Sequence, residues 1–238
     1  ILRRELNSYF ATPIAYVFIV IFLVLANVFT FYLGNFYERQ QADLIPFFSF
    51  HPWLYLFLIP AISMRLWSEE RKTGTLELLM TLPVSRRDIV LGKFLAAWLF
   101  AGLALVPTFP LWITVNYLGE PDNGVIFASY LGSWLMAGGF LAIGSCMSAL
   151  TRSQVIAFVL CGFVCLIFVM AGFPLVLDVF KGLVPIIVLD TVASLSFLTH
   201  FSAVSRGVLS LQDFLYFVSV ITVWLLAASI VLDIKKGD

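Results

Sequence analysis

Residues 69–93, "EERKTGTLELLMTLPVSRRDIVLGK", contain nine charged residues in 25 positions, although only 12 % of the chain is charged. Long apolar runs flank this stretch on both sides. Of the 238 residues, 61 % are hydrophobic, well above the roughly 45–50 % of a soluble domain. The net charge is zero, which gives no electrostatic case for nucleic-acid binding. The chain therefore has the composition of a membrane protein, in which the placement of charge is informative.

Six intervals of 19 to 32 residues contain no Asp, Glu, Lys or Arg. A helix needs about 20 apolar residues to cross a hydrocarbon core of ~30 Å. The intervals predict one all-α, polytopic membrane domain over residues 1–238, with spans near 13–35, 50–66, 89–117, 126–149, 154–174 and 213–232. A water-soluble alternative would require six helices that are apolar all round.

The basic residues predict the orientation of these spans. Six spans place both termini on one side of the membrane, and Lys and Arg then number eleven on that side against three on the other, namely Arg39, Lys181 and Arg206. Loops rich in Lys and Arg face the cytoplasm. Both termini and the charged stretch are therefore predicted to be cytoplasmic.

Three of the segments outside the predicted spans carry predictions of their own. Residues 1–12 mix Arg and Glu with aromatic residues, which predicts an amphipathic helix on the membrane surface. Residues 67–88 form the cytoplasmic loop between spans 2 and 3. Residues 175–212 predict one or two short helices that dip into the outer face of the membrane or lie on it, and four residues there are candidates for contact with a partner: Asp178, Lys181, His200 and Arg206.

Small residues recur in the predicted span 126–149. Ser129, Ser133, Ala137, Ser145 and Ala149 follow a four-residue spacing that only Leu141 interrupts. Small side chains let helix backbones approach closely in lipid. The pattern predicts that this span is central to the helix bundle.

The middle of the charged loop, "TLELLMTL", is apolar on nearly every side and too short to cross a membrane. Its side chains need a covering surface, which could be a groove on another protein or the lipid headgroups. Ser85 and Asp88 follow at the spacing of a capping box and predict the start of the next helix.

The stretch "EERKTGTLELLMTLPVSRRDIVLGKFLAA" resembles the cytoplasmic loop of type-two ATP-binding-cassette (ABC) exporter permeases. It is most similar to the branch with the gliding-motility permease and the permease of nitrous-oxide-reductase maturation. Residues 197–219, "FLTHFSAVSRGVLSLQDFLYFVS", resemble the same branch. The two stretches together cover about a fifth of the chain.

The resemblance implies a permease in the bacterial inner membrane that pairs with a second copy or a related permease and rests on two ABC ATPase subunits. ATP and Mg would be bound by those ATPases, with no cofactor or metal on this chain. The loop would supply a short coupling helix, and the implied ATPase contacts are Glu69, Glu70, Arg71, Gly74, Thr75, Glu77, Leu78, Leu79 and Pro83.

Other functions are disfavoured by the sequence. The chain contains no G-x-x-x-x-G-K-[ST] motif for binding ATP phosphates. The predicted spans hold no ionisable residue away from their ends, contrary to most ion-coupled transporters, and no nucleophile–base pair for an intramembrane enzyme. Export of an unidentified substrate is the main hypothesis. Transmission of motion to a periplasmic partner, or a stand-alone channel or scaffold, are the alternatives.

Overall fold

The computed structural model describes residues 2–75, 85–181, 185–208 and 210–234. Regular structure in these ranges is helical, as the all-α prediction requires. Within these ranges, four helices are long and apolar enough to cross a membrane, and the number rises to six if each of two bent helix pairs counts as one span. The chain is thus an all-α, multi-pass membrane protein.

The helices follow one another with short connections. In chain order they are α1 (Leu2–Ala11), α2 (Pro13–Val28, continued by a π-helical turn over Phe29–Leu33), α3 (Ile45–Ser49), α4 (His51–Ser63), α5 (Arg65–Thr73), α6 (Arg86–Leu105, followed by a 3-10 turn over Val106–Thr108), α7 (Phe109–Leu118), α8 (Asn123–Leu150), α9 (Gln154–Met170), α10 (Pro174–Phe180), α11 (Ile186–Ser194), α12 (Phe197–Val204) and α13 (Leu211–Ile234).

Helix α8 lies at the centre of the bundle, as its small residues predicted. It packs against α4, α5, α6, α9, α12 and α13, and most of its residues are buried. A Cβ atom at Gly144 would lie 2.4 Å from Cβ of Ser63, and one at Gly139 would lie 2.9 Å from the ring of Phe197. These glycines therefore set how closely α4 and α12 approach α8.

Helices α6 and α8 pack together through two similar stretches, "WLFAG" at 98–102 and "WLMAG" at 134–138, which differ at one position. The indole rings of Trp98 and Trp134 stack with centroids 4.4 Å apart. Each indole N–H donates to the backbone carbonyl of the other tryptophan, at 2.8 and 3.0 Å. Gly102 and Gly138 lie against these rings, and a Cβ at either would come within 2.9 Å of the facing indole nitrogen.

The second predicted span, 50–66, corresponds to α4, which alone has only 13 residues. Helices α3, α4 and α5 nevertheless run along α8 in sequence, from the contact between Phe48 and Tyr130 to the contact between Arg71 and Ala149. Between Tyr130 and Ala149, α8 rises about 28 Å at 1.5 Å per residue. The predicted second span is therefore part of a longer helical segment, which continues past the charge-free interval as α5.

The region that follows α9 is bent twice. Helices α9 and α10 meet at 71°, and α11 and α12 meet at 67°. The second pair is long and apolar enough to form a broken span or a re-entrant loop. The prediction for residues 175–212 allowed for short helices that dip into the membrane. Helices α11 and α12 are more apolar than residues 175–212 as a whole, because Ile186–Val204 contains only one charged residue, Asp190.

Candidate functional site

The predicted ATPase contacts begin on α5 at one end of the bundle, here called the α1 end because α1 lies there too. Glu69, Glu70 and Arg71 belong to α5, and Gly74 and Thr75 follow it. Four other predicted contacts lie outside the described residues, namely Glu77, Leu78, Leu79 and Pro83. The described part of the candidate site therefore consists of α5 and the helices that hold it in place.

The first turn of α5 is capped by a side chain from α8. The first backbone N–H groups of a helix have no partner within the helix. Ser148 on α8 accepts from the N–H groups of Trp67 and Ser68, both at 3.1 Å, and donates to the carbonyl of Met64 at 2.9 Å. One buried hydroxyl group thus joins the start of α5 to the end of the central helix.

Two longer side chains extend this attachment. The indole N–H of Trp67, which is fully buried, donates to Ser145 at 2.9 Å. The guanidinium group of Arg71 donates to the carbonyl of Ala149 at 2.7 Å. Because both acceptors lie on α8, a displacement of α5 cannot occur without breaking these bonds or moving α8.

Helix α5 ends at Gly74, which has φ = 72° and ψ = 8° and occupies the left-handed region. Glycine adopts this conformation without the steric cost that a Cβ imposes. The hydroxyl groups of Thr73 and Thr75 lie 2.9 Å apart across this turn, and Thr73 also donates to the carbonyl of Glu69. The chain therefore leaves α5 through a defined, exposed turn.

The predicted cap of the following helix is present at Ser85 and Asp88. Ser85 Oγ accepts from the N–H of Asp88 at 3.2 Å and donates to its carboxylate at 2.6 Å. The sequence pattern predicted that the side chain of Asp88 would reach back toward Ser85. In the structure the carboxylate of Asp88 does so, and it accepts from the hydroxyl group of Ser85. The cap fixes the start of α6 on the far side of the loop.

A buried charge cluster connects α1, α5 and α6; it consists of Glu5, Glu70 and Lys93 and is called the Lys93 cluster. The ammonium group of Lys93 lies 2.7 Å from Glu70 Oε1 and 3.2 Å from Glu5 Oε2. Lys93 is only 5 % exposed and lies 5.5 Å from the ring centroid of Trp67. One cation thus holds carboxylates from two other helices in a place largely closed to water.

The second carboxylate oxygen of Glu70 is buried and accepts no hydrogen bond within the described part of the chain. Burial raises the pKa of Glu70, and Glu5 adds to this effect, whereas the nearby Lys93 opposes it. Two carboxylates share one ammonium group here. Glu70 is therefore the member of the cluster that is least well compensated when ionised.

Lys93, Glu5 and Trp67 were not among the residues predicted to form the site. Lys93 could have been noticed, since it is the last charge before an interval of 26 uncharged residues and lies within the predicted third span. Its partner Glu5 is 88 positions away in the sequence. Only the packing of α1 against α6 brings the two together.

The four outer-face candidates are found at the opposite end of the bundle. Asp178 and Lys181 form an exposed ion pair on α10, and Arg206 is exposed after α12. His200 is only 6 % exposed; it contacts Asp213 at 2.6 Å and the carbonyl of Ser194 at 2.8 Å. His200 therefore fastens α12 to α11 and α13 and offers little surface to a partner.

The other histidine in the described ranges is His51, near the start of the sequence-predicted second span. It is the first residue of α4 and is fully buried. Its Nδ1 lies 2.8 Å from Ser133 Oγ, which also contacts the hydroxyl group of Tyr55 at 2.6 Å. No metal-binding group of three or more His, Cys, Asp or Glu residues occurs among the residues described.

The chain was compared with known families and proteins. The model of a family described as "ABC-2 family transporter protein" matches residues 14–234, which is nearly the whole sequence. No curated protein matches the chain. The family match agrees with the resemblance of the charged loop, and the branch within the family stays a prediction.

Proposed function

The chain belongs to the ABC-2 transporter family, and we propose that it is the permease subunit through which a separate ATPase drives export. The family makes the chain a membrane subunit that partners an ABC ATPase. We expect ATP and Mg to be bound by that partner and both termini to face the cytoplasm of a bacterium. A second permease copy, or a related permease, would complete the transporter.

The observation that supports this proposal is the attachment of α5 to α8. Residues predicted to contact the ATPase lie on α5 or directly after it, and α5 is bonded to the end of the central helix through Ser148, Trp67 and Arg71. A force applied beyond Gly74 would therefore be passed to α8. Because α8 packs against most of the bundle, its displacement would alter the arrangement of the other helices.

Differential contact is required for such a mechanism, since a ligand shifts a conformational equilibrium only if it binds the two states unequally. The ATPase pair would hold the loop 67–88 differently with and without ATP. The Lys93 cluster adds α1 and α6 to the moving unit, because Glu70 on α5 and Glu5 on α1 share one ammonium group.

The test is co-purification of the chain from native membranes in a mild detergent, followed by an ATPase assay. We expect the wild type to retain a separate ATPase and the variant Glu69→Arg with Leu79→Asp to lose it. Glu69 is exposed on α5, so reversing its charge leaves the Lys93 cluster in place. Glu120→Arg, an exposed position at the opposite end, is the matched control and should retain the ATPase.

Two outcomes would contradict the coupling proposal. The first is that the wild type retains no ATPase under mild conditions, which would favour a stand-alone channel or scaffold. The second is that Glu69→Arg with Leu79→Asp retains as much ATPase as Glu120→Arg does. Size-exclusion profiles of each variant would show whether the bundle is intact.

Transmission of motion to a periplasmic partner is the second candidate function. It is favoured by the exposed ion pair of Asp178 and Lys181 at the end of α10, which offers both signs of charge to a partner. The double reversal Asp178→Lys with Lys181→Glu keeps the net charge. If this function is correct, the variant loses a periplasmic partner but keeps the ATPase; unchanged partner binding would count against it.

A further inference from the structure

A cleft of about 340 Å³ opens at the α1 end, between α1, α2, the α4–α5 junction and α6. Its floor includes Phe18 and Ile62, which are buried and apolar, whereas its rim includes Ser8 and two exposed arginines, Arg4 and Arg65. An apolar floor below a cationic rim, beside an amphipathic helix, matches the layering of a membrane interface.

The charges that line the cleft are of both signs. Arg65 has no ion-pair partner among the described residues, and the guanidinium group of Arg4 reaches Glu5 only at 4.0 Å. Lys93 is already engaged by two carboxylates. Glu70, which also lines the cleft, keeps one oxygen without a hydrogen bond in the described structure. Two guanidinium groups are therefore open to a bound molecule, and Glu70 can offer its unbonded oxygen if its side chain rotates out of its buried position.

We propose that this cleft binds the headgroup of a phospholipid that carries both a phosphate and a primary ammonium group, as phosphatidylethanolamine does. Arg4 and Arg65 would contact the phosphate, since guanidinium groups form strong, directional hydrogen bonds to it. Glu70 would accept from the ammonium group after a small rotation of its side chain. The acyl chains would follow the apolar floor at Phe18 and Ile62.

Charge balance favours this zwitterionic occupant over an anionic lipid. The lining contains three cations (Arg4, Arg65, Lys93) and three carboxylates (Glu5, Glu69, Glu70). A headgroup with a phosphate alone would leave the buried oxygen of Glu70 without a donor, which is unfavourable. A headgroup with both charges keeps the site neutral and supplies that donor. The proposal concerns lipid binding and does not depend on the ATPase partner.

The test uses the full chain, stripped of lipid in detergent and titrated with phosphatidylethanolamine or phosphatidylglycerol, with bound lipid counted by native mass spectrometry. We expect phosphatidylethanolamine to bind more tightly than phosphatidylglycerol. The variant Arg4→Gln with Arg65→Gln should bind phosphatidylethanolamine about tenfold more weakly. Arg3→Gln with Arg87→Gln is the matched control, because it removes two exposed cations from the same end but outside the cleft.

Glu70→Gln provides a second variant that does not remove a cation. It should reduce the preference for phosphatidylethanolamine, because the ammonium group loses its carboxylate and the lining gains a net positive charge that favours phosphatidylglycerol. Equal weakening by both arginine pairs would overturn the proposal in favour of a general surface charge. Equal binding of the two lipids would overturn the role of the ammonium group. Soluble glycerophosphoethanolamine has the same headgroup without acyl chains. If it displaces phosphatidylethanolamine at equal concentration, the acyl chains contribute nothing and the proposal of a lipid ligand is overturned.

Discussion

The ammonium group of Lys93 contacts a carboxylate oxygen of Glu70 at 2.7 Å, and this contact joins the helix before the charged loop to the helix after it. The loop itself is therefore anchored on both sides by one ion pair. Glu5 brings α1 into the same contact. The consequences of this arrangement can be tested in the purified protein.

Replacing Lys93 by Met should destabilise the fold. The change leaves the carboxylates of Glu5 and Glu70 near each other without their shared cation, and breaking a buried ion pair costs about 3 kcal/mol or more. We expect the free energy of unfolding to fall by about that amount, measured by chemical denaturation in detergent. Adding Glu70→Gln should restore part of the loss, because it removes one of the two uncompensated charges.

The control for this experiment is Lys181→Met at the opposite end of the bundle. Lys181 pairs with Asp178 in an exposed position, and exposed pairs contribute about 0.5 kcal/mol or less. A similar loss of stability in the Lys93 and Lys181 variants would show that burial of the Lys93 cluster has no energetic effect.

The stability of Glu70→Gln relative to the wild type should depend on pH. The pKa of Glu70 is raised in the folded state, so the folded chain binds more protons than the unfolded chain between the ordinary and the raised pKa. The contribution of Glu70 to stability is therefore greatest at low pH and falls as pH rises through that window. The melting temperature of Glu70→Gln, minus that of the wild type, should increase from pH 5 to pH 8.

A decrease of this difference with rising pH would contradict the prediction. Asn7→Gln, an exposed change on α1 that leaves every titratable group in place, controls for the pH dependence of the detergent and of the other groups.

Replacing Ser148 by Ala should loosen the attachment of α5. The change removes the acceptor for the N–H groups of Trp67 and Ser68, which are buried at the start of α5. Loss of a helix cap costs about 1–2 kcal/mol, so the melting temperature should fall by about 2–8 °C.

Ser129→Ala is the matched control, since Ser129 is also buried on α8 but only donates to the carbonyl of Val125 in its own helix. It should have a smaller effect than Ser148→Ala. If the two variants lower the melting temperature equally, the hydrogen bonds between α5 and Ser148 on α8 add no measurable stability.

Replacing Gly74 should weaken the binding of the ATPase by an amount that depends on whether the new side chain tolerates the left-handed backbone conformation. Its left-handed conformation is tolerated by Asn but is unfavourable for a β-branched residue, and no atom of the described residues lies within 4 Å of a Cβ placed there. We expect Gly74→Val to reduce ATPase co-purification markedly and Gly74→Asn to reduce it little. Both variants should unfold within about 1–2 °C of each other if α5 remains attached to α8. Equal retention of the ATPase by both would argue against a role for this turn.

Several features of the fold could be predicted from the sequence because they depend on local composition. Charge-free intervals indicated an all-α membrane protein, and the small residues of 126–149 indicated the central helix. Ser85 and Asp88 gave the start of α6 within one residue. Each of these signals lies within a single segment, so no knowledge of the packing was needed.

Other features depend on contacts between distant segments. Ser148 caps a helix that is 81 positions earlier in the sequence, and Glu5 reaches Lys93 across 88 positions. The break between His51–Ser63 and Arg65–Thr73, near the end of the second predicted span, was not predicted, because the absence of charge does not reveal where a helix bends. The sequence predicted His200 to lie on the outer face, and its burial depends on the contact with Asp213 on another helix.

The paired tryptophans between α6 and α8 give this protein an optical property of its own. Two indole rings stacked at 4.4 Å are close enough for their electronic transitions to couple, which produces a characteristic circular-dichroism signal. The signal depends on the relative orientation of the rings and disappears when they separate. Any working cycle that slides or parts these two helices would therefore change the protein's own absorption of polarised light, without the addition of a dye.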